Sequence, residues 1–262
     1  MTFDSAQNDP AMITVSGIHK TLRGQEVLKG IDLQVGHGET LAIIGRSGGG
    51  KSVLMKHMVG LMKPDRGQVC IDGREITGLQ ERQLGPVRRK VGILFQDGAL
   101  FDSMTVEENV AFPLREQGMR DRKVMRQRVE EALEHVSLSG QGHKMPVELS
   151  GGMRKRASLA RVLASQPECI LYDEPTSGLD PVVSDSINHL IREFQSKFGV
   201  TSIVVTHDMT SAYFVANRIA FLRAGSIYLT GTPETFRRAT DPVVCDFIEG
   251  RSRGMDWMNP TA

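Results

Sequence analysis

Gly45-Arg46-Ser47-Gly48-Gly49-Gly50-Lys51-Ser52 is the stretch that decides the fold. It has the form GxxxxGK[ST], a phosphate-binding loop. The apolar run at residues 41–44 precedes it and reads as a short buried strand. Residues 51–61 follow and read as a helix, ended by Pro64, Asp65 and Gly67. Strand, loop and helix in that order are the context the motif needs. The four glycines let the backbone curl with its N–H groups pointing inward. Those N–H groups and the helix N-terminus stabilise anionic phosphate. Lys51 adds a positive charge near the β- and γ-phosphates, and the Ser52 hydroxyl suits Mg²⁺. Gly45, Arg46, Ser47, Gly48, Gly49, Gly50, Lys51 and Ser52 are therefore the candidate nucleotide-phosphate site.

Working outward, Cys169-Ile170-Leu171-Tyr172-Asp173-Glu174 is an apolar strand ending in two carboxylates, with Asp173 lying 122 residues beyond Lys51. A strand delivers such a pair to the carboxyl edge of a sheet, where open α/β sheets bind ligands. Asp173 is the candidate Mg²⁺ ligand. Glu174 is the candidate general base for an attacking water. Two glycines and a serine then stand at the start of another helix, in Leu149-Ser150-Gly151-Gly152-Met153, with the helix expected from about Met153. That is a second phosphate site. Two separate phosphate sites in one chain suggest a sandwich, in which residues 45–52 of one copy and 149–153 of another share one nucleotide.

At this point the sequence resembles the ABC (ATP-binding cassette) ATPases. Their usual signature is LSGGQ, and Met153 stands here in place of the glutamine. Because the resemblance assigns phosphate contacts to Ser150, Gly151 and Gly152, the change at Met153 is expected to be tolerated. Gln96, after the strand at 91–95, is similar to the glutamine that contacts Mg²⁺ and senses a transmembrane partner. Ser177-Gly178-Leu179-Asp180 is similar to the loop that crosses the dimer interface. His207, ending the strand at 201–206 and preceding Asp208, is similar to the histidine that bonds the γ-phosphate. His19, His37 and His135 read as structural or simply exposed. The family usually places an aromatic ring near position 22 to stack on adenine. Here Leu22 cannot stack, although Arg23 could lie over the base as a planar cation, so weaker base selectivity is expected.

A narrower resemblance rests on Phe95-Gln96-Asp97-Gly98-Ala99-Leu100-Phe101-Asp102-Ser103-Met104, on Asn109-Val110-Ala111-Phe112-Pro113-Leu114-Arg115-Glu116, on Met145-Pro146-Val147-Glu148 and on the LSGGM form. These stretches are similar to the Mla/MCE-associated ATPases of the toluene-tolerance type. The resemblance implies a homodimer at the cytoplasmic face of a bacterial inner membrane. It also implies ATP and Mg²⁺ as cofactors, an integral-membrane permease, an MCE-domain lipid-binding subunit in the complex, and phospholipid as cargo. Phe95, Leu100 and Phe101 are expected either to line an apolar groove for a helix of the permease or to fill the helical core. An ATPase for an amino-acid or other small-solute importer is the alternative. A soluble non-transport ABC ATPase is a further one, although such proteins usually carry two cassettes or a long coiled-coil insertion.

The rest of the chain agrees with this. Residues 13–15, 27–35 and 69–71 read as strands, residues 107–136 as helical but broken at Pro113 and Gly118, and residues 153–165 as a helix. Strands at 170–172 and 201–206 then alternate with helices at 181–197 and 209–216. A hairpin follows at 219–230 across Ala224-Gly225, then a helix at 233–249. The expected class is α/β: a P-loop NTPase core of the RecA-like type, an antiparallel β subdomain and an inserted helical subdomain at about 97–168. Residues 1–11 read as a disordered N-terminus, 12–249 as the ATPase domain, and 250–262 as a tail that frays or packs on a partner through Trp257.

With 262 residues, 32 basic and 31 acidic, the formal net charge is +1, which gives no electrostatic case for nucleic acid. Three cysteines, Cys70, Cys169 and Cys245, show no metal or redox spacing and fit a reducing compartment. The first residues lack the basic start and apolar core of a signal peptide, and no apolar run approaches the length of a membrane span. Arg88-Arg89-Lys90 reads as a solvated face.

Overall fold

The computed structural model describes residues 11–251. The expected disordered start, except for Ala11, lies outside the described residues, as does the tail beyond Arg251 with Trp257. In chain order the first strands are β1 (Ile13–Leu22), β2 (Gln25–Val35), β3 (Thr40–Ile44), β4 (Arg66–Ile71) and β5 (Arg74–Glu75). The later ones are β6 (Val91–Leu94), β7 (Cys169–Asp173), β8 (Thr201–Thr206), β9 (Arg218–Arg223) and β10 (Ser226–Gly231). The helices are α1 (Lys51–Met58), α2 (Gly85–Lys90), α3 (Val106–Glu116), α4 (Arg122–His135) and α5 (Gly151–Leu163). They continue as α6 (Pro181–Phe198), α7 (Met209–Val215), α8 (Pro233–Arg237) and α9 (Pro242–Ile248).

The strands make two sheets. One is antiparallel, in the order β2-β1-β4-β5. The other has the order β10-β9-β3-β8-β7-β6 and is parallel except for β10, which returns beside β9 as a hairpin. Side chains alternate across the second sheet as the two-residue period of a strand requires. Leu41 and Ile43 of β3, Cys169 and Leu171 of β7, and Ile203 and Val205 of β8 join the core shared with α1 and the antiparallel sheet. Ile170, Tyr172 and Val204 face the helices α3 to α6 instead. Cys169 is fully buried and behaves as a small hydrophobe; its thiol is pushed far up by burial. Both faces of β7 and β8 are thus covered, which explains why these strands read as unbroken apolar runs.

This is the α/β class with a P-loop core expected from the sequence. The differences in detail have physical causes. β1 runs on past residue 15 because Gly17, at φ +56°, takes up an irregularity in the register with β2. Pro113 does not break the helix: α3 passes through it and ends at Glu116, before Gly118 at φ +83°. Pro113 forfeits only one backbone bond, while Thr105 and Glu108 close a capping box at the other end. The helix expected over 233–249 is two, because Asp241 caps a new start with Pro242 at its first position. α5 begins at Gly151, not Met153, with Ser150 as its N-cap. The run Arg88-Arg89-Lys90 closes α2, where Lys90 bridges Asp72 and Glu168 and Arg88 pairs with Glu81.

Candidate nucleotide site

The order β3-β8-β7-β6 sets four loops side by side at one edge of the sheet. β3 leads into Gly45, β8 into His207, β7 ends at Asp173 before Glu174, and β6 leads into Phe95 and Gln96. Elements far apart in sequence therefore bring their functional side chains to the carboxyl edge, where a ligand of such a sheet binds.

The glycines of the loop are needed where they stand. Gly50 has φ +96°, and a Cβ there would lie 3.0 Å from Leu28 Cδ2. At Gly45 a Cβ would lie 2.5 Å from the Leu222 carbonyl oxygen. Arg46, Ser47 and Gly48 are exposed along the loop and Gly49 is half-buried. Lys51 is buried, and its Nζ donates to the carbonyls of Gly45 at 2.8 Å and Arg46 at 3.1 Å. It also lies 3.6 Å from Glu174 Oε1. Burial lowers the Lys51 pKa from the ordinary lysine value, with Glu174 and Asp173 partly offsetting it.

Ser52 Oγ donates to Asp173 Oδ1 at 3.0 Å. Asp173 is only 8% exposed, and burial is the main force raising its carboxyl pKa above the usual range. Two hard oxygen donors meet there, one of them a carboxylate whose desolvation a cation would relieve; this donor set fits Mg²⁺. Glu174 has φ +48°, a left-handed conformation that costs about 1–3 kcal/mol for such a residue. Its backbone N–H donates to the Val205 carbonyl at 2.8 Å, which ties the turn to β8. Its Oε2 lies 2.9 Å from His207 Nδ1, and the His207 backbone N–H donates to it at 3.4 Å. One carboxylate thus bridges the lysine of the phosphate loop and the histidine.

Gln96 is exposed, and among the described residues no hydrogen bond joins its side chain to Ser52 or Asp173. Its backbone is held instead. Lys155 Nζ donates to the Gln96 carbonyl, and Arg161 donates to those of Gly98 at 3.0 Å and Ala99 at 2.7 Å. Burial lowers the Lys155 pKa, with Asp97, Asp173 and Glu174 pulling the other way. Sequence reasoning missed this clamp. Its donors, Lys155 and Arg161, stand on α5 among the buried apolar residues Ala157, Leu159 and Ala160, but nothing in the sequence marks the carbonyls they bond.

Ser150 accepts from the Met153 backbone N–H at 3.2 Å, so its hydroxyl caps α5. A Cβ at Gly151 would lie 3.7 Å from Leu179, and one at Gly152 would lie 2.5 Å from Val183 Cγ1. The second glycine loop therefore packs on the Ser177–Asp180 segment and α6 of its own chain, and no hydrogen bond among the described residues joins it to Lys51. Met153 packs its side chain against the helical core. Leu22 ends β1 and Arg23, at φ +51°, opens the turn into β2, whose Val27 lies beside Gly50.

Of the three apolar residues expected at the groove, the structure separates one. Leu100 packs into the helical core. Phe95 and Phe101 line a cleft of about 590 Å³ with Ala99, Phe112, Pro113 and Arg161.

A family model described as "ABC transporter" matches residues 28–177. The probable ribonucleotide transport ATP-binding protein Mkl of Mycobacterium leprae is 40% identical over 242 residues, covering 92% of this chain and 70% of that one. The intermembrane phospholipid transport system ATP-binding protein MlaF of Haemophilus influenzae is 40% identical over 233 residues, 88% of each chain. A solved dimeric ATP-binding cassette, in a post-hydrolysis state bound to ADP and Pi, is 33% identical and superposes with a TM-score of 0.79 over 85% of this chain and 99% of that one.

Proposed function

We propose a function from one premise: the chain belongs to the ABC transporter family and is an ATP-hydrolysing subunit of a transport system. In our reading, two copies close around two ATP molecules. Each ATP lies between residues 45–52 of one copy and Ser150, Gly151 and Gly152 of the other. The observation that carries this reading is the convergence of Lys51, Glu174 and His207, and of Ser52 with Asp173, at the ends of three neighbouring strands.

The geometry supplies a sequence of events. Without nucleotide, Glu174 is held on one side by Lys51 and on the other by His207. ATP offers both side chains a new partner. Lys51 turns to the β- and γ-phosphates and His207 to the γ-phosphate. Glu174 is then free to accept a proton from a water as that water attacks the γ-phosphorus and ADP leaves. Ser52 and Asp173 would hold Mg²⁺, with Gln96 as a further candidate ligand, and bound Mg²⁺ supplies neutralisation of charge on the phosphate oxygens. Leu22 and Arg23 meet the base without aromatic stacking.

The transmembrane partner docks, in this reading, in the cleft of Phe95, Phe101, Phe112 and Pro113. No described helix is long and apolar enough to cross a membrane. In this reading a permease supplies the spans and the chain works at its cytoplasmic face. Arg161 lines that cleft and holds the loop after Gln96, which joins the docking surface to the nucleotide edge. Phospholipid moving between the inner and outer membranes is the proposed cargo, with an MCE-domain subunit in the complex. Supporting it are the stretches at 95–104, 109–116 and 145–148, the LSGGM signature and a relative of that stated function matched over 88% of both chains. An importer of a small solute is the second reading, favoured by the equally identical ribonucleotide transport relative. Affinity capture of the tagged protein from membranes tests the choice. A permease with an MCE-domain protein and phospholipid supports the first; a permease with a soluble solute-binding protein overturns it.

A further inference from the structure

Asn188 lies in the middle of α6 and is only 5% exposed, a buried polar residue on a helix whose other buried positions, Ile187, Leu190, Ile191 and Phe194, are apolar. Its Nδ2 donates to Ser211 Oγ at 2.9 Å. Ser211 is 1% exposed, and its Oγ donates to Asp208 Oδ2 at 2.6 Å. Asp208 is the residue after His207. Its other oxygen accepts from the Thr210 backbone N–H at 2.9 Å, and its own N–H donates to Thr206 Oγ1 at 3.0 Å.

The directions of these bonds are forced. The Asp208 carboxylate only accepts, so the single Ser211 proton goes to it. Ser211 then has only lone pairs left for Asn188, which must present its NH₂. Asn188 Oδ1 is left buried with no hydrogen-bond partner among the described residues. The same residues border a cleft of about 460 Å³ shared with Glu174, Ser177 and His207. Asp180, directly after Ser177 to Leu179, is also the N-cap of α6. The helix that carries that segment at its N-terminus is thus bonded to the loop that carries His207.

We infer that Asn188 and Ser211 are positioning residues for ATP hydrolysis: through Asp208 they fasten the His207 loop to α6 and set His207 against Glu174. This rests on the role given to His207 above.

The test is a double-mutant cycle on the full chain in its transport complex, reading kcat and KM for ATP well below the unfolding temperature. Ser211→Ala lowers kcat by roughly 10-fold, the size expected for one lost hydrogen bond to a charged group, and leaves KM within about 2-fold. Ser211→Thr, which keeps the hydroxyl, recovers most of the loss. Asn188→Asp lowers kcat at least as far, because two carboxylates then compete for one hydroxyl proton. In the His207→Ala background, Ser211→Ala has almost no further effect. Unchanged kcat in Ser211→Ala, or the same fold-loss with and without His207, overturns the inference while leaving the ATPase site intact. Full turnover in His207→Ala would instead remove the role of His207 and the inference with it.

Discussion

Gly152→Ala separates the packing of this glycine from the phosphate contact proposed for it. A Cβ at residue 152 would lie 2.5 Å from Val183 Cγ1, 3.5 Å from its Cγ2 and 3.6 Å from its Cβ. Carbon atoms in ordinary contact stand about 3.5–4.0 Å apart, so the first distance is an overlap of roughly 1 Å. Gly152 is buried in the first turn of α5, and the half-buried Val183 stands in the first turn of α6, so both backbones are held in helices. Overpacking of this kind costs about 1–3 kcal/mol. For a chain of this size that lowers Tm by roughly 2–10 °C. Val183→Ala removes both offending methyls, so the pair Gly152→Ala/Val183→Ala restores the room. Thermal unfolding and ATP turnover are then measured on both variants. The single variant unfolds early and is slow. The double variant regains the parent Tm but stays slow, because in the proposed dimer its new methyl still stands where the phosphate of ATP bound to the other copy approaches the backbone. Recovery of both Tm and turnover would mean that Gly152 serves packing alone. A single variant as stable as the parent would refute the geometry from which the clash is worked.

Two further outcomes concern the site and its neighbour. Burial holds the Asp173 carboxyl above its ordinary range, so between the unfolded and folded pKa the folded chain binds more protons than the unfolded one, and stability falls as pH rises through that window. Asp173→Asn therefore raises the Tm of the nucleotide-free, Mg²⁺-free protein at pH 7, and the gain disappears below about pH 4, where the unfolded carboxylate is protonated too. A lower Tm at pH 7 contradicts this. Asn109 is fully buried; its Oδ1 accepts from the Phe101 N–H at 2.7 Å, and its Nδ2 donates to the carbonyls of Phe101, Met104 and Thr105. Asn109→Leu leaves these groups short of partners, costs at least about 2 kcal/mol by denaturant unfolding and weakens recovery of the permease with the tagged chain. Stability within about 0.5 kcal/mol of the parent would show that Asn109 does not hold this loop.

The sequence was most legible where chemistry and periodicity coincide. The stretch 45–52 needs its glycines for backbone reasons, and both the strand before it and the helix after it are local patterns. The same holds for 169–174 and 201–207, where an apolar run ends abruptly in charged or polar residues. That these three ends become neighbours is a matter of strand order, β3-β8-β7, which no local pattern encodes. The Glu174 bridge between Lys51 and His207 was unreadable for that reason. So was the α5 clamp, since the acceptors of Lys155 and Arg161 are backbone carbonyls, which carry no residue identity. Pro113 misled because helix breaking is an average tendency and α3 loses only one bond to it. Pro242, after Asp241, was a legible helix start within a run read as one helix.

Glu174→Gln, read by turnover and by solution mass with ATP and Mg²⁺, tests the proposal that Glu174 activates the water that attacks an ATP held between two copies. The amide keeps the shape of the carboxylate but cannot take the proton. The expected result is ATP binding retained, turnover nearly abolished, and the chain held as a closed dimer for as long as ATP persists. Turnover at the parent's rate, or a chain that stays monomeric with ATP bound, would contradict it.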